Sequence, residues 1–433
     1  MNPNQLLITN GTILDPVHPQ LREAELLVVD GRVAKVGTGL KRLAPDAAVL
    51  DAAGGLVAPG FIDMHVHLRE PGQEHKETIA TGAAAAVAGG FTTICCMPNT
   101  SPAIDNDTQI EFVLTQAARA GLCNVLPMGA ITKDREGKEL SEMMLMHEAG
   151  AIGFTDDGVS VGEASVMHKA LQYVKMFDGL ISQHCEEPTL SGGSMNAGTT
   201  ALRLGLGGIA GVSEELIIAR DLLLNRRINA RYHVQHISTA GAVELVRQAK
   251  KSGHHVTAEV TPHHLLLTDE SCDGYDTNFK MNPPLRSRAD VQACLEGIAD
   301  GTIDALATDH APHTREEKEV EFDKAPFGIV GLETALALYA EALVKPGLLN
   351  WQQLIEKMSA KPAAILRLKD RGNLLEGAIA DIAIVDQNRH WKIEPDKFRS
   401  KGRNTPFAGR MVTGAVRYTL LAGKMVYQRP AEH

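Results

Sequence analysis

Apolar and polar positions divide the chain into a β-rich start, a long alternating middle and a β-rich end. Residues 6–14, 24–36 and 48–58 carry runs of Leu, Val and Ile separated by Asn10-Gly11, Asp30-Gly31 and Gly54-Gly55. These are strand and turn signals without a helical period. The style returns at residues 380–385, 411–416 and 417–427, with turns predicted at Gly414 and Gly423. The two ends are expected to pair into one small β domain, residues 1–58 plus 369–433, leaving residues 59–368 as a separate unit.

Within that unit eight β-rich apolar runs stand out, at residues 61–67, 91–97, 124–130, 151–155, 180–186, 231–238, 256–262 and 303–309. Helical patterns fall between most of them. One covers 107–120, with an Asp cap and a stop at Gly121; others cover 141–149, stopping at Gly150, and 238–252, stopping at Gly253. Strand and helix alternating eight times predict an α/β fold, a closed (β/α)8 barrel of TIM type, with a composite β-sandwich from both chain ends. An open doubly wound sheet is the alternative, but no G-x-G-x-x-G follows the first strand. No charge occurs from Thr78 to Ile104, yet Ala, Gly, Thr and Pro dominate there. That stretch reads as a helix, a Gly89-Gly90 turn and a strand, not a membrane span.

Composition narrows the classes. Hydrophobic residues at 44% and charged residues at 22% exclude a disordered, collagen-like or coiled-coil chain. The net charge is −10 with no long basic run, so no nucleic-acid or anionic-membrane partner is expected. None of the six cysteines forms a C-x-x-C pair, so neither a disulfide framework nor a thiolate zinc site is indicated. A reducing cytoplasm fits. The opening residues lack a basic segment and a long apolar run, so a secretory leader is not expected.

The first barrel strand ends Asp63-Met64-His65-Val66-His67-Leu68-Arg69. Strand alternation puts Asp63, His65 and His67 on one face. Two imidazoles so spaced can share a metal, although two hydrogen-bonded core histidines would show the same spacing. Their company decides the matter. The fourth strand ends Thr155-Asp156-Asp157-Gly158, the fifth carries Gln183-His184-Cys185, the sixth Gln235-His236-Ile237, and the eighth Thr308-Asp309-His310. Catalytic side chains of barrel enzymes collect at this rim. Five strand ends with nitrogen and oxygen donors only predict a metal site. Four His and two Asp exceed one four-coordinate zinc and suit two ions sharing a carboxylate and a hydroxide.

The run from Gly60 to Gly72, together with Met97-Pro98-Asn99-Thr100 and Asn282-Pro283-Pro284-Leu285-Arg286, resembles the dihydroorotases in their bacterial barrel-plus-sandwich form, within the amidohydrolase superfamily. The resemblance runs over essentially the whole chain, through Ala307-Thr308-Asp309-His310-Ala311-Pro312-His313 and Glu376-Gly377-Ala378-Ile379-Ala380-Asp381. It implies two zinc ions, one on His65 and His67, the other on His184 and His236. Asp157 would bridge them, and Asp309 would be a terminal ligand and the catalytic acid/base. Many relatives bridge with a carboxylated lysine on the fourth strand. Here Gly153-Phe154-Thr155-Asp156-Asp157 holds no lysine, so an aspartate takes that place, and spacing by analogy favours Asp157 over Asp156. Manganese or cobalt would suit the same donors.

Substrate contacts are also implied by the resemblance. Arg69, Asn99 and His313 would hold the substrate's carboxylate, and Asn282 with the backbone of Phe327-Gly328 its ring amide edge, beside His67. The implied reaction is the reversible hydrolysis of (S)-dihydroorotate to N-carbamoyl-L-aspartate in pyrimidine biosynthesis. A cytoplasmic homo-oligomer, a dimer, and association with aspartate transcarbamoylase come with it. A hydantoinase- or allantoinase-type amidase is the competing enzyme, but it usually employs the lysine bridge and lacks the Arg69/Asn99 clamp. A purely structural partner would have lost ligands, and all six candidates are present.

Other suggestive residues have plainer readings. Cys95 and Cys96 are expected to fill the core, and Cys185 to face the helices. His233 is unassigned. His254, His255, His263 and His264 gather at the seventh strand, where one could support a ligand. Gly192-Gly193, Gly198 and residues 205–211 predict a long flexible segment between the fifth and sixth strands.

Overall fold

A computed structural model describes residues 2–430. Its centre is a parallel barrel of β1 (Phe61–Val66), β2 (Phe91–Cys96), β3 (Asn124–Gly129), β4 (Gly153–Phe154), β5 (Leu180–Gln183), β6 (Arg231–Val234), β7 (Val256–Val260) and β8 (Ala305–Leu306), hydrogen-bonded in chain order. The circle closes where Val66 bridges His310 and the His67 N–H donates to His310 O at 2.8 Å. Six strands begin where their apolar runs begin. Covered on both faces, they carry the Val/Ile-rich, non-alternating composition of buried parallel strands. The sixth run reaches Ser238, but its ladder stops at Val234, because His236 takes φ 29° and turns the chain into the mouth.

Helices cover the outside of the barrel. Ile79–Ala88 and Phe91–Cys96 flank the Gly89-Gly90 turn, as the uncharged stretch suggests. Asp107–Ala120 is capped by Asn106, not by the expected Asp, with the Asn106 side chain accepting from the Gln109 N–H, and it ends at left-handed Gly121. Thr239 likewise caps Ala240–Lys251. The largest core joins strands to helices through Phe61, Phe91, Ile94, Phe154, Ile181 and Tyr232. All six cysteines are buried and unbridged.

Both chain ends share one mixed sheet of eight strands. Asn2–Asp15, His18–Val29, Arg32–Gly37, Ala47–Asp51 and Leu56–Pro59 join Ile382–Lys392, Met411–Leu421 and Lys424–Gln428. The seam is antiparallel, pairing Ile382 with Pro59 and Val385 with Leu56. Ile8, Leu26, Val57, Ile382, Ile384 and Leu420 fill its core. Gly414 does not turn the chain; it lies inside one continuous strand, whereas Gly423 does turn. The glycine-rich segment after β5 is not structureless. It forms the helix Thr199–Leu204 and a two-stranded ladder of Met195–Asn196 with Gly208–Ile209. Arg286 ties it down, Nη1 donating to Asn196 Oδ1 at 3.1 Å and Ile209 O at 2.9 Å. Among the described residues no helix is long and apolar enough to cross a membrane.

Candidate metal centre and active site

Five strands deliver their end residues to one point. His65 lies in β1 and His67 just beyond it; Asp157, His184, His236 and Asp309 follow β4, β5, β6 and β8, and all six are buried. His65 Nε2 lies 3.2 Å from Asp157 Oδ1 and 3.4 Å from Asp309 Oδ1. His67 Nε2 lies 2.9 Å from Asp309 Oδ1 and 3.5 Å from Asp157 Oδ2. His184 Nδ1 and His236 Nε2 stand 3.0 Å apart, and 4.0 and 3.8 Å from Asp157 Oδ1. Asp157 thus sits between the two histidine pairs. Its neighbour Asp156 turns away, accepting from the N–H groups of Ile131 and Thr132 and from the Thr132 hydroxyl. Asp63 does not join the cluster either. The register shifts between Asp63 and Val66, and the Asp63 carboxylate accepts from the N–H groups of His65 and Thr308.

The donor set fits a metal. Among the described residues, His65–Asp157–His236 and His65–His67–Asp309 each bring three ligand atoms within 4.8 Å. His65 Nε2 is buried without a hydrogen-bond partner. Three of the four outer nitrogens face oxygens: His65 Nδ1 lies 2.9 Å from Glu259 Oε1, His67 Nδ1 2.8 Å from Asn99 Oδ1, and His184 Nε2 3.2 Å from Glu186 Oε2, whereas His236 Nδ1 is buried without a hydrogen-bond partner. Donating outward leaves the inner nitrogens bare, the tautomer that a ligating imidazole needs. Burial opposes charge on Asp157 and Asp309, but the surrounding imidazoles outweigh it and hold both carboxyls far below their usual range. The backbone is strained at three of these positions: Arg69, His236 and Asp309 have φ of 60°, 29° and 46°. Such residues cost about 1–3 kcal/mol each and cluster at active sites.

A cavity of about 300 Å³ opens above the cluster. His67, Arg69, Asn99, Asp157, His184, His236, Asn282, Asp309, His313, Phe327 and Gly328 all line it, so of the sequence-predicted residues only His65 lies beneath. Arg69 is buried, with Nε donating to Pro312 O at 3.2 Å and Nη2 3.3 Å from His313 Nε2. Burial pulls its pKa down to about 10, against the pull of Asp309 and Asp157. Among the described residues no carboxylate pairs with it. Asn99 is engaged with the cluster, Nδ2 lying 3.3 Å from Asp157 Oδ2. Asn282 Nδ2 donates to Glu186 Oε2 at 3.0 Å. The Gly328 N–H donates to Lys280 O at 3.0 Å, and Phe327 O lies 2.9 Å from His313 Nε2. At φ 151°, Gly328 leaves no room for a side chain: a Cβ would meet Ala311 O at 2.7 Å.

Relatives place this arrangement. A family model described as dihydro-orotase-like matches residues 54–242, and one for the amidohydrolase family matches residues 323–427. The dihydroorotase of Pelotomaculum thermopropionicum is 51% identical over 98% of this chain and 99% of its own. That of Caldanaerobacter subterraneus subsp. tengcongensis is 46% identical over 98% of each. The chain belongs to the dihydroorotase family. It is an amidohydrolase, and amidohydrolases depend on metal. Solved structures agree on the fold: an L-hydantoinase (dihydropyrimidinase) from Arthrobacter aurescens superimposes with a TM-score of 0.86 at 28% identity, covering 98% of this chain and 96% of its own. A dihydropyrimidinase from Brevibacillus agri reaches 0.84 at 22% identity over 98% and 95% of the two chains.

Two supporting carboxylates of this dihydroorotase-family site escape the sequence reading. Glu259 on β7 takes His65 with one oxygen and lies 3.2 Å from the unassigned His233 with the other. Burial raises its pKa, but these two rings prevail and bring it down to about 2. An acid inside the apolar run Val256–Val260 is its only signal. Glu186, two residues past His184, is the other. Removing such a partner weakens metal binding roughly 10–100-fold. Glu259→Gln is therefore expected to lose metal to a chelator at about tenfold lower concentration than wild type. Equal retention would show that Glu259 does not orient His65.

Proposed function

We propose that this chain catalyses the reversible hydrolysis of (S)-dihydroorotate to N-carbamoyl-L-aspartate with two zinc ions. His65 and His67 would hold one ion, His184 and His236 the other, with Asp157 between them and Asp309 beside the first. The observation that carries the substrate assignment is Arg69, a buried guanidinium without a carboxylate partner among the described residues, facing a cavity directly over the acid–imidazole cluster. A buried cation calls for an anion, and a planar guanidinium matches a carboxylate in bidentate fashion. Dihydroorotate carries one; hydantoin and dihydrouracil do not.

A zinc pair in this donor set supplies Lewis acidity and lets water ionise near neutral pH. The chain's own groups do the rest. Arg69, backed by His313, anchors the ring by its carboxylate. Asn99 holds the outer nitrogen of His67, and Asn282, Phe327 and Gly328 shape the wall along the ring amide. An Asp309 carboxylate oxygen takes the proton from water as the water oxygen attacks the ring carbonyl carbon. It returns that proton to the ring nitrogen as the C–N bond breaks. Residues 59–368 act here as the catalytic unit, with 1–58 and 369–433 as its companion, a division supported by the seam between Leu56–Pro59 and Ile382–Lys392. A cytoplasmic dimer and an association with aspartate transcarbamoylase accompany this reading through the family alone.

A substrate panel on zinc-loaded protein tests it: dihydroorotate, dihydrouracil, hydantoin and allantoin, each with a chelated control. Turnover of dihydroorotate alone, lost on chelation and restored by zinc, is the expected result. Turnover of dihydrouracil or hydantoin instead would keep the metal chemistry and remove Arg69 from the carboxylate.

A further inference from the structure

Asn404 belongs to the segment linking the strands Ile382–Lys392 and Met411–Leu421 of the mixed sheet, yet its side chain is buried against the mouth of the barrel. Its Oδ1 accepts from the His313 N–H at 3.0 Å. Its Nδ2 donates to Ala311 O at 2.9 Å and Gly328 O at 3.0 Å. Its own carbonyl accepts from the Val330 N–H at 3.0 Å. One amide thus joins the two segments that wall the cavity, the one after β8 and the one around Gly328.

The first of these segments holds Arg69. Pro312 O accepts from Arg69 Nε, and the His313 ring stands against Arg69 Nη2. Loss of the Asn404 amide would fall chiefly on this side. Gly328 O keeps a second donor, Lys318 Nζ at 3.2 Å, whereas Ala311 O and the His313 N–H have no other partner among the described residues. A buried backbone group left unpaired costs free energy, which favours a shift of its segment toward another partner. That shift would move the surface on which the guanidinium rests.

We infer that Asn404 is a positioning residue which sets the affinity for the substrate's carboxylate, by fixing residues 311–313 behind Arg69. It touches no substrate itself, and the inference rests on Arg69 binding that carboxylate. The test is a double-mutant cycle on the full-length, metal-loaded protein with dihydroorotate. Asn404→Ala is expected to raise KM about tenfold while kcat stays within about threefold and metal content is unchanged. Added to Arg69→Met, it is expected to do little more, since both act through one contact. A merely looser mouth would lower kcat or metal content as well, and its effect would add to that of Arg69→Met. An unchanged KM in Asn404→Ala, or additivity in the double variant, would overturn the inference while leaving Arg69 in place. An unchanged KM in Arg69→Met would overturn the reading beneath it, and the inference with it. Should the alanine variant fail to fold, Asn404→Asp carries the same comparison, because it keeps the acceptor for His313 and loses both donors.

Discussion

Asp309→Ala is expected to lower kcat by about 10²- to 10⁴-fold, the span of a positioned general acid–base group, while the protein stays folded and keeps most of its metal. Asp309 is the acid at the end of β8, 2.9 Å from His67 Nε2 and 3.4 Å from His65 Nε2, and it lines the cavity. Asp157 lies among all four imidazoles and has no oxygen free of them for a proton. Glu259 and Glu186 are engaged with outer ring nitrogens. Among the described residues no other carboxylate lines the cavity. Five of the six candidate ligands remain in the variant, so metal analysis should separate lost chemistry from a lost site. A kcat within tenfold of wild type, with metal retained, would mean that another group carries the proton.

Arg69→Met is expected to lower kcat/KM for dihydroorotate by about 10²-fold, chiefly through KM, as for truncating one member of a buried charge pair. Methionine fills the stem's volume and removes only the guanidinium. Because that charge is buried without a carboxylate partner among the described residues, its removal should leave the thermal midpoint unchanged or raised, an activity–stability trade common at binding sites. The carboxylate's methyl ester, if turned over, should lose little between wild type and variant. An unchanged KM for dihydroorotate would place its carboxylate elsewhere.

The candidate ligands are legible in the sequence because each closes an apolar run, and a parallel barrel brings all such ends to one rim. Strand beginnings are legible for the same reason. Strand ends are not: His236 and Asp309 leave the ladder through left-handed backbone that no periodicity encodes. Asp156 and Asp157 are adjacent and alike in composition, and only the Ile131 and Thr132 amides show which one is taken up by the scaffold. Supporting residues stay hidden where they come from afar. Glu259 meets His65 across 194 residues and Asn404 meets His313 across 91, distances at which local pattern carries no information. The glycines after β5 suggest looseness, but the restraint there comes from Arg286, well downstream.

The seam between the two chain ends has a consequence for how the molecule is made. Leu56–Pro59 leaves the ribosome early, but its antiparallel partner Ile382–Val385 follows roughly 320 residues later. At ordinary rates of synthesis that is an interval of some tens of seconds. Throughout it the nascent chain carries an unpaired strand edge beside a barrel still being assembled, a feature that invites pairing with neighbouring chains. Overproduction should therefore be limited less by the stability of the finished enzyme than by how well chaperones cover that waiting edge.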